Sequence, residues 1–183
     1  MSTKLKTTLA FTKNLLTTGA FTETSKNVEK EIIRYVNLES SKLVVEFGMG
    51  HGNLTNEILK NMPLDSKLLA FEVNTDFCNH VKNYINDDRL QIINDSAVNF
   101  KKYLNYQPVN NFISSIPFSF LSKEDTSSIL NESYQTLKCN SYFSQVLYTK
   151  FNFKKFQNIF DENEIINLGS FPTEYIYHCR KVK

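Results

Sequence analysis

Residues 43–55 read LVVEFGMGHGNLT, an apolar run with one carboxylate, followed by glycines at the alternate positions 48, 50 and 52. An apolar run of this length that ends in glycines is typical of a buried parallel strand that turns directly into a helix. Glycine permits positive φ and lets a ligand approach the main chain without contact from a Cβ atom. The stretch therefore predicts a ligand-binding turn, with a plain structural turn as the alternative.

The spacing of the glycines separates this turn from two common nucleotide-binding loops. The pattern is Glu46-x-Gly48-x-Gly50-x-Gly52, whereas the dinucleotide fingerprint is G-x-G-x-x-G, and no Gly-Lys-Ser/Thr follows as in a phosphate-binding P-loop. The carboxylate of Glu46 would repel a pyrophosphate and favour a cation. The sequence therefore predicts S-adenosylmethionine (SAM), which carries an amino group and a sulfonium.

Length and composition fit one soluble globular domain over residues 1–183. The chain is 41% hydrophobic and 22% charged, and a core of this size buries roughly 70% of the unfolded chain's surface. The net charge of +2 is too small to indicate a nucleic-acid partner by itself. Three cysteines without C-x-x-C spacing predict neither a zinc site nor disulfides, and they favour a reducing, cytoplasmic setting.

The N-terminal residues read as helical. Residues 4–16 carry leucines near one side and lysines elsewhere, which fits either a helix packed on the domain or a helix on a membrane surface. After a break near Gly19, Thr24 or Ser25 is expected to cap a second helix that runs to about Tyr35.

From residue 42 onward, strand-like and helix-like runs alternate, which is typical of a parallel doubly wound sheet. The last two runs, 164–168 and 173–179, are joined by four residues, too few for a crossover helix, so they are expected to pair as an antiparallel hairpin. We predict an α/β, Rossmann-like, mostly parallel seven-stranded sheet with a C-terminal antiparallel hairpin. The other predicted strands are 43–47, 67–72, 90–93, 111–115 and 142–147, and the helices between them are 53–61, 75–85 and 123–137.

Polar residues follow the second and third predicted strands, at the edge where parallel sheets bind ligands. Glu72, twenty residues after Gly52, is expected to accept hydrogen bonds from the ribose hydroxyls, with a surface carboxylate as the alternative. Asp95 is a candidate acceptor for the adenine amine, and Ser96 or Ala97 offers an N–H group to a ring nitrogen. A helix N-cap is the alternative at this position.

The segment after the fourth strand, residues 114–118, reads SSIPF. Pro117 fixes a rigid turn, and Phe118 is expected to present an aromatic face to a cationic or planar acceptor. Carbonyl groups and the Ser115 hydroxyl are expected to hold an amine, with a plain loop as the alternative. Tyr148, after the fifth strand, is expected to be a second contact or a proton acceptor, with a packing residue as the alternative.

Four segments, residues 46–52, 71–72, 94–97 and 115–118, resemble in their order and spacing those of class I SAM-dependent methyltransferases. Within that class, the nearest resemblance is to the bacterial phospholipid N-methyltransferases and the related rRNA adenine dimethylases. Residues 18–25, TGAFTETS, are similar to a segment that covers the cofactor in the lipid enzymes. Residues 114–118 resemble their S-G-L-P-F motif more than the N-L-P-Y motif of the adenine dimethylases. Residues 169–181 resemble their final hairpin.

The resemblance implies methylation of an amino-headgroup phospholipid, reached through the N-terminal helix at the inner membrane surface, with residues 1–40 covering the cofactor site. The alternatives are an RNA adenine N6-methyltransferase, disfavoured by the missing asparagine, the small charge and the lack of a C-terminal RNA-binding domain, and a SAM-binding protein with little catalysis. The oligomeric state stays open. The expected catalytic and acceptor-site residues are Ser115, Ile116, Pro117, Phe118 and Tyr148. The expected SAM-binding residues are Thr18, Gly19, Phe21, Glu46, Gly48, Met49, Gly50, Gly52, Asn53, Leu54, Glu72, Val73, Asp95, Ser96, Ala97 and Ser114.

Overall fold

A computed structural model describes residues 25–148, 150, 152–169 and 173–183. The first predicted helix and the predicted cofactor residues Thr18, Gly19 and Phe21 lie outside the described residues. Among the described residues, no helix has the length and apolar character needed to cross a membrane.

Seven strands form one sheet in the order β3-β2-β1-β4-β5-β7-β6. Neighbours from β3 to β5 pair in parallel, whereas β7 is antiparallel to both β5 and β6. The predicted mostly parallel sheet with a C-terminal antiparallel hairpin is therefore confirmed. The strands are β1 (Leu43–Phe47), β2 (Lys67–Phe71), β3 (Leu90–Ile93), β4 (Val109–Ser114), β5 (Leu137–Leu147), β6 (Glu162–Asn167) and β7 (Tyr175–Lys181).

The helices connect the strands and cover both faces of the sheet. α1 begins after Ser25, whose Oγ accepts a hydrogen bond from Val28 N, and it buries Val28 and Ile32 against the sheet. The α-helices are α1 (Lys26–Tyr35), α2 (Asn53–Asn61), α3 (Thr75–Tyr84), α4 (Lys123–Thr136) and α5 (Phe153–Gln157), and 3₁₀ helices span Ala97–Tyr103 and Phe118–Phe120.

The strand β5 is longer than predicted. It begins at Leu137, directly after α4, although the sequence predicted a helix to residue 137 and a strand from residue 142. Leu137 pairs with Val109 of β4, and Asn140 has positive φ within the strand. The residues between Leu137 and Ser141 carry no strand pattern of their own, and they form an irregularity where the register between β4 and β5 shifts.

Each face of the sheet has its own hydrophobic cluster. One face is rich in buried aromatic rings, including Phe47, Phe112 and Phe143, and the other buries aliphatic side chains such as Val44 and Ile113 against α1 and α2. The chain moves outward from β1 through β2 to β3 and then returns to place β4 on the other side of β1. The carboxyl ends of β1 and β4 therefore flank the point where strand order reverses, which is where open α/β sheets bind ligands.

Candidate functional site

The three glycines after β1 all have positive φ, but they face different surroundings. A Cβ atom on Gly48 would lie 2.9 Å from Ile116 Cγ2, and one on Gly52 would lie 2.9 Å from Val81 Cγ2 of α3. These two glycines permit close packing against the loop after β4 and against α3. A Cβ atom on Gly50 would have no neighbour within 4 Å, so Gly50 is the glycine at which a ligand can approach the main chain.

Glu72 lies after β2, and its carboxylate contacts the glycine loop. Oε2 accepts a hydrogen bond from Gly50 N at 3.1 Å, and Oε1 accepts one from Asn74 N at 2.8 Å. Burial raises the pKa of Glu72 above its ordinary value, although the N–H groups of Asn74 and Gly50 oppose that shift. The structure thus brings this carboxylate beside the open glycine, and its contact with a ribose stays a prediction.

Glu46 lies near the end of β1 with its side chain toward α2 and only 1% exposed. Oε2 accepts a hydrogen bond from Thr55 Oγ1 at 2.7 Å, whereas Oε1 is buried without a hydrogen-bond partner. Burial raises the pKa of Glu46 to about 7, the Thr55 hydroxyl opposes the shift and the charge of Glu72 adds to it. A buried acceptor without a partner lowers the stability of the fold by about 1–3 kcal/mol. A ligand that donated a hydrogen bond to Oε1 would remove this penalty.

Asp95 holds the 3₁₀ helix that follows β3. Its Oδ1 accepts hydrogen bonds from Ser96 N and Asn99 Nδ2, and its Oδ2 accepts one from the Tyr103 hydroxyl at 2.9 Å. Burial acts to raise the pKa of Asp95, but these hydrogen bonds outweigh it and hold the pKa below its ordinary value. Ser96 caps the 3₁₀ helix through Val98 N. The N-cap is therefore Ser96 and not Asp95, and the adenine contact of Asp95 stays a prediction.

Several other predicted cofactor residues have their side chains in the core. Met49 packs with Ala70, Cys78 and Val81, and Leu54 packs in the aliphatic cluster. Only the main chain of these residues is available to a ligand from that position. Ala97 and Ser114 are likewise buried, whereas Asn53 and Val73 are partly exposed.

The loop after β4 is fastened to β1 and to the glycine loop. Ser115 N donates to Phe47 O at 2.9 Å, and Ser115 Oγ donates to Gly48 O at 2.6 Å. Ser115, Ile116 and Pro117 are each partly exposed. The predicted acceptor segment and the predicted cofactor loop are therefore in direct contact.

The structure corrects the expectation that Phe118 presents its ring to an acceptor. The side chain is 0% exposed and packs edge-to-face against Phe143 and Phe156, with ring centroids 6.5 and 5.2 Å away. Burying an aromatic ring in this cluster is favourable and leaves no face open. Tyr148, by contrast, is 43% exposed directly after β5, and its role as a contact or proton acceptor stays a prediction.

Gln145 contacts the loop after β4, although it is not among the residues that the sequence predicted for the site. Its Nε2 donates to Ile116 O at 3.0 Å and to Val146 O at 2.7 Å. The signal in the sequence is a carboxamide at the otherwise apolar end of a strand. Strand periodicity alone predicts that such a polar residue faces outward.

The geometry fits a SAM molecule better than a pyrophosphate. Gly50 offers open main chain, Glu72 is adjacent to it, and Glu46 Oε1 is a buried acceptor without a donor. Two carboxylates at the ends of adjacent parallel strands suit a ligand that carries a cation and hydroxyl donors.

Comparison with known proteins agrees with this geometry. The family described as ribosomal RNA adenine dimethylase matches residues 17–145, which is more than half of the chain. The chain belongs to this family. Its predicted class, a SAM-dependent methyltransferase that uses SAM as cofactor, is therefore confirmed.

Individual relatives of the chain are also named as methyltransferases of ribosomal RNA. Ribosomal RNA small subunit methyltransferase A of Mycoplasmopsis synoviae is 36% identical over 74 residues, 40% of this chain and 27% of the relative. An rRNA adenine N-6-methyltransferase of Limosilactobacillus reuteri is 27% identical over 157 residues, 84% of this chain and 62% of the relative. The chain thus spans between about a quarter and three fifths of the length of the curated relatives it matches.

A solved structure shows the same fold. A Streptococcus mutans protein described as a methyltransferase, in complex with SAH, superposes with a TM-score of 0.65 at 16% identity, over 87% of this chain and 99% of that one. At this identity the likeness concerns the fold alone.

The match corrects the predicted partner. The sequence favoured a phospholipid and ranked nucleic acid lower. The names of the matching family and of these curated relatives, however, refer to ribosomal RNA. The preference for the phospholipid N-methyltransferase branch depended on Ser115 in place of asparagine and on two short segments. Such short similarities carry less information than a match over residues 17–145.

Proposed function

We propose that this protein transfers a methyl group from SAM to the exocyclic N6 amine of an adenine in RNA. The observation that carries the proposal is the match of residues 17–145 to the ribosomal RNA adenine dimethylase family. The contact between the glycine loop and the loop after β4 supports it, because a methyl transferase must hold the cofactor and the acceptor at one place. By analogy with its relatives, ribosomal RNA is the proposed substrate.

SAM supplies the methyl group as an electrophilic sulfonium. The protein has to hold the acceptor nitrogen about 3–3.5 Å from the methyl carbon of SAM, in line with the carbon–sulfur bond that breaks. An adenine amine is a weak nucleophile because its lone pair is delocalised into the ring, so acceptors for its protons help it to react. The carbonyl groups and the Ser115 hydroxyl of the loop after β4, together with Tyr148, are the proposed acceptors.

On the cofactor side, we assign Glu72 to the ribose and the open main chain at Gly50 to the body of SAM. Glu46 and Glu72 supply buried carboxyl groups beside the ligand, and its cationic groups would favour their ionised forms. Residues 17–24 belong to the matched range, and we retain for the segment 1–40 the proposed role of covering the cofactor.

Cationic side chains at the acceptor edge favour RNA over a neutral partner. Lys150 follows β5, and the exposed Lys154 and Lys155 lie on α5. Asn152 Nδ2, beside them, donates to Ser119 Oγ at 2.9 Å, which joins this segment to the loop after β4. Lysines in this position can contact phosphates of a bound RNA strand, and such contacts make binding weaken as salt rises.

The test is to incubate the protein with methyl-labelled SAM and, separately, ribosomal RNA without prior methylation, DNA of the same sequence, and phosphatidylethanolamine vesicles. The proposal predicts label in RNA, released on digestion as N6-methylated adenosine, and its loss in a Glu72→Ala variant. Label confined to vesicles or DNA, or no label in RNA although SAM binds, would contradict it.

A further inference from the structure

Gln145 is a buried amide at the carboxyl end of β5, where it touches the segment proposed to hold the acceptor. The side chain is 0% exposed and lies on the aromatic face of the sheet, as a register partner of Ser114. Stability alone does not explain a carboxamide here. Its Oε1 is buried without a hydrogen-bond partner, which costs about 1–3 kcal/mol, and an apolar side chain of the same length would avoid that cost.

The donor half of the amide is fully used. Nε2 donates to Ile116 O at 3.0 Å and to Val146 O at 2.7 Å, so it joins the end of β5 to the loop after β4. The amide orientation follows from these partners. The reverse orientation would set Oε1 against two carbonyl oxygens, and an oxygen cannot donate to either.

The same peptide is held from its other side by β1. Ser115 N donates to Phe47 O, Ser115 Oγ donates to Gly48 O, and Gly48 has no room for a Cβ atom because Ile116 lies 2.9 Å from its place. The Ser115–Ile116 unit thus lies between two anchors, one on each neighbouring strand. Among the residues that the structure describes, Gln145 is the residue of β5 that holds the carbonyl of Ile116.

We infer that Gln145 is a positioning residue, which fixes the direction of the Ile116 carbonyl and so sets where the acceptor amine lies relative to the SAM methyl group. The inference rests on the proposed methyl transfer. Gln145 does not touch SAM or the amine; it acts through the loop. A displacement of about 1 Å at such a loop can lower the rate of transfer by about 100-fold without weakening cofactor binding.

The test compares Gln145→Met with Ser144→Ala. Methionine has the length of glutamine and no donor, whereas Ser144 is equally buried on the other face of β5 and donates no hydrogen bond to the loop. For Gln145→Met, we expect kcat for methyl transfer to fall by about 10- to 100-fold, with KM for SAM within about twofold of wild type. Ser144→Ala is expected to retain the wild-type kcat even where its melting temperature falls.

Hydrogen exchange gives a readout that does not need an RNA substrate. With SAM bound, the peptide that contains residues 112–121 is expected to exchange faster in Gln145→Met than in wild type, and at the wild-type rate in Ser144→Ala. Unchanged loop exchange together with an unchanged kcat would overturn the positioning role. If wild-type protein methylates no RNA, the proposed function fails, and the exchange comparison alone then decides whether Gln145 orders the loop.

Discussion

The hydroxyl of Ser115 donates a hydrogen bond of 2.6 Å to the carbonyl oxygen of Gly48, and it thereby fastens the loop after β4 to the loop after β1. The first loop is the proposed acceptor side and the second is the cofactor side. Like the hydrogen bond from Ser115 N to Phe47 O, this contact joins the ends of β1 and β4, where strand order reverses. A change on either loop is therefore expected to affect the other.

Alanine substitutions at Gly48 and Gly50 should give different losses. Gly48→Ala forces a Cβ atom to within 2.9 Å of Ile116 Cγ2 and 3.3 Å of Ile116 N, so it should destabilise the fold and displace the acceptor loop. Gly50→Ala meets no atom within 4 Å, so its cost to stability is limited to about 1–2 kcal/mol of left-handed strain. It should still weaken SAM binding by about tenfold or more, a loss of about 1.4 kcal/mol.

Thermal melts and calorimetric titration with SAM distinguish the two variants. Equal losses of melting temperature, or normal SAM binding by Gly50→Ala, would contradict the assignment of Gly50 as the open position.

Removing the Ser115 hydroxyl should uncouple the two loops. Ser115→Ala loses one hydrogen bond, worth about 0.5–1.5 kcal/mol, and it should lower the rate of methyl transfer more than it lowers stability. Ser119→Ala is the matched control, because Ser119 lies in the 3₁₀ helix that follows this loop and bonds Asn152 rather than the glycine loop. The measurement is single-turnover transfer at saturating SAM, and equal rates for the two variants would count against coupling through Ser115.

Glu46 should make folding stability fall as pH rises. Its pKa is about 7 in the folded chain and ordinarily 4.5, so the folded state binds more protons between these values and the free energy of unfolding decreases across pH 4.5–7. For one group with this shift the decrease is about 3 kcal/mol. Glu46→Gln keeps an acceptor for Thr55 and does not titrate. Urea unfolding without SAM should therefore show a smaller loss for the variant than for wild type, and parallel pH profiles would refute the buried, protonated state.

His178 should make folding stability fall as pH drops, which is opposite to the effect of Glu46. Burial lowers its pKa to about 4 from 6.5; the ring stacks on Tyr35 at 3.8 Å and its Nδ1 is 2.9 Å from Ser144 Oγ. Because the unfolded chain binds the proton more readily, the free energy of unfolding falls as pH drops from 6.5 to 4, by about 3 kcal/mol. His178→Phe preserves an aromatic ring and removes the titration, so its stability should depend less on pH in this window. An unchanged acid profile would show that His178 is not neutral and buried in solution.

The strands β1 to β4 and the C-terminal hairpin could be predicted because their signals are local in the sequence. Apolar runs at regular spacing gave β1 to β4, and the short connection after residue 168 allowed only an antiparallel pairing. The start of β5 could not be predicted, because Lys138 and Asn140 carry no apolar alternation and lie where the register between β4 and β5 shifts.

The site was predictable where a residue type is tied to one chemistry, and less so where packing decides. Glu72 and Gly50 lie together as their motif implies. Gly48 and Gly52 look identical to Gly50 in the sequence, but their roles depend on Ile116 and Val81, which are distant in the chain. Phe118 likewise packs into the aromatic cluster, against Phe143 and Phe156, which are distant in the chain. The predicted partner is wrong because the prediction depended on Ser115 and two short segments, whereas the family match covers residues 17–145.

Mass spectrometry of nucleosides tests directly whether this protein methylates adenine in RNA. Ribosomal RNA that lacks the modification is incubated with SAM and either wild-type protein or Gly50→Ala, digested, and separated by chromatography. We predict N6-methylated or N6,N6-dimethylated adenosine after incubation with wild type and much less after incubation with the variant. Wild-type protein that binds SAM and yields no N6-methylated adenosine from this RNA would contradict it.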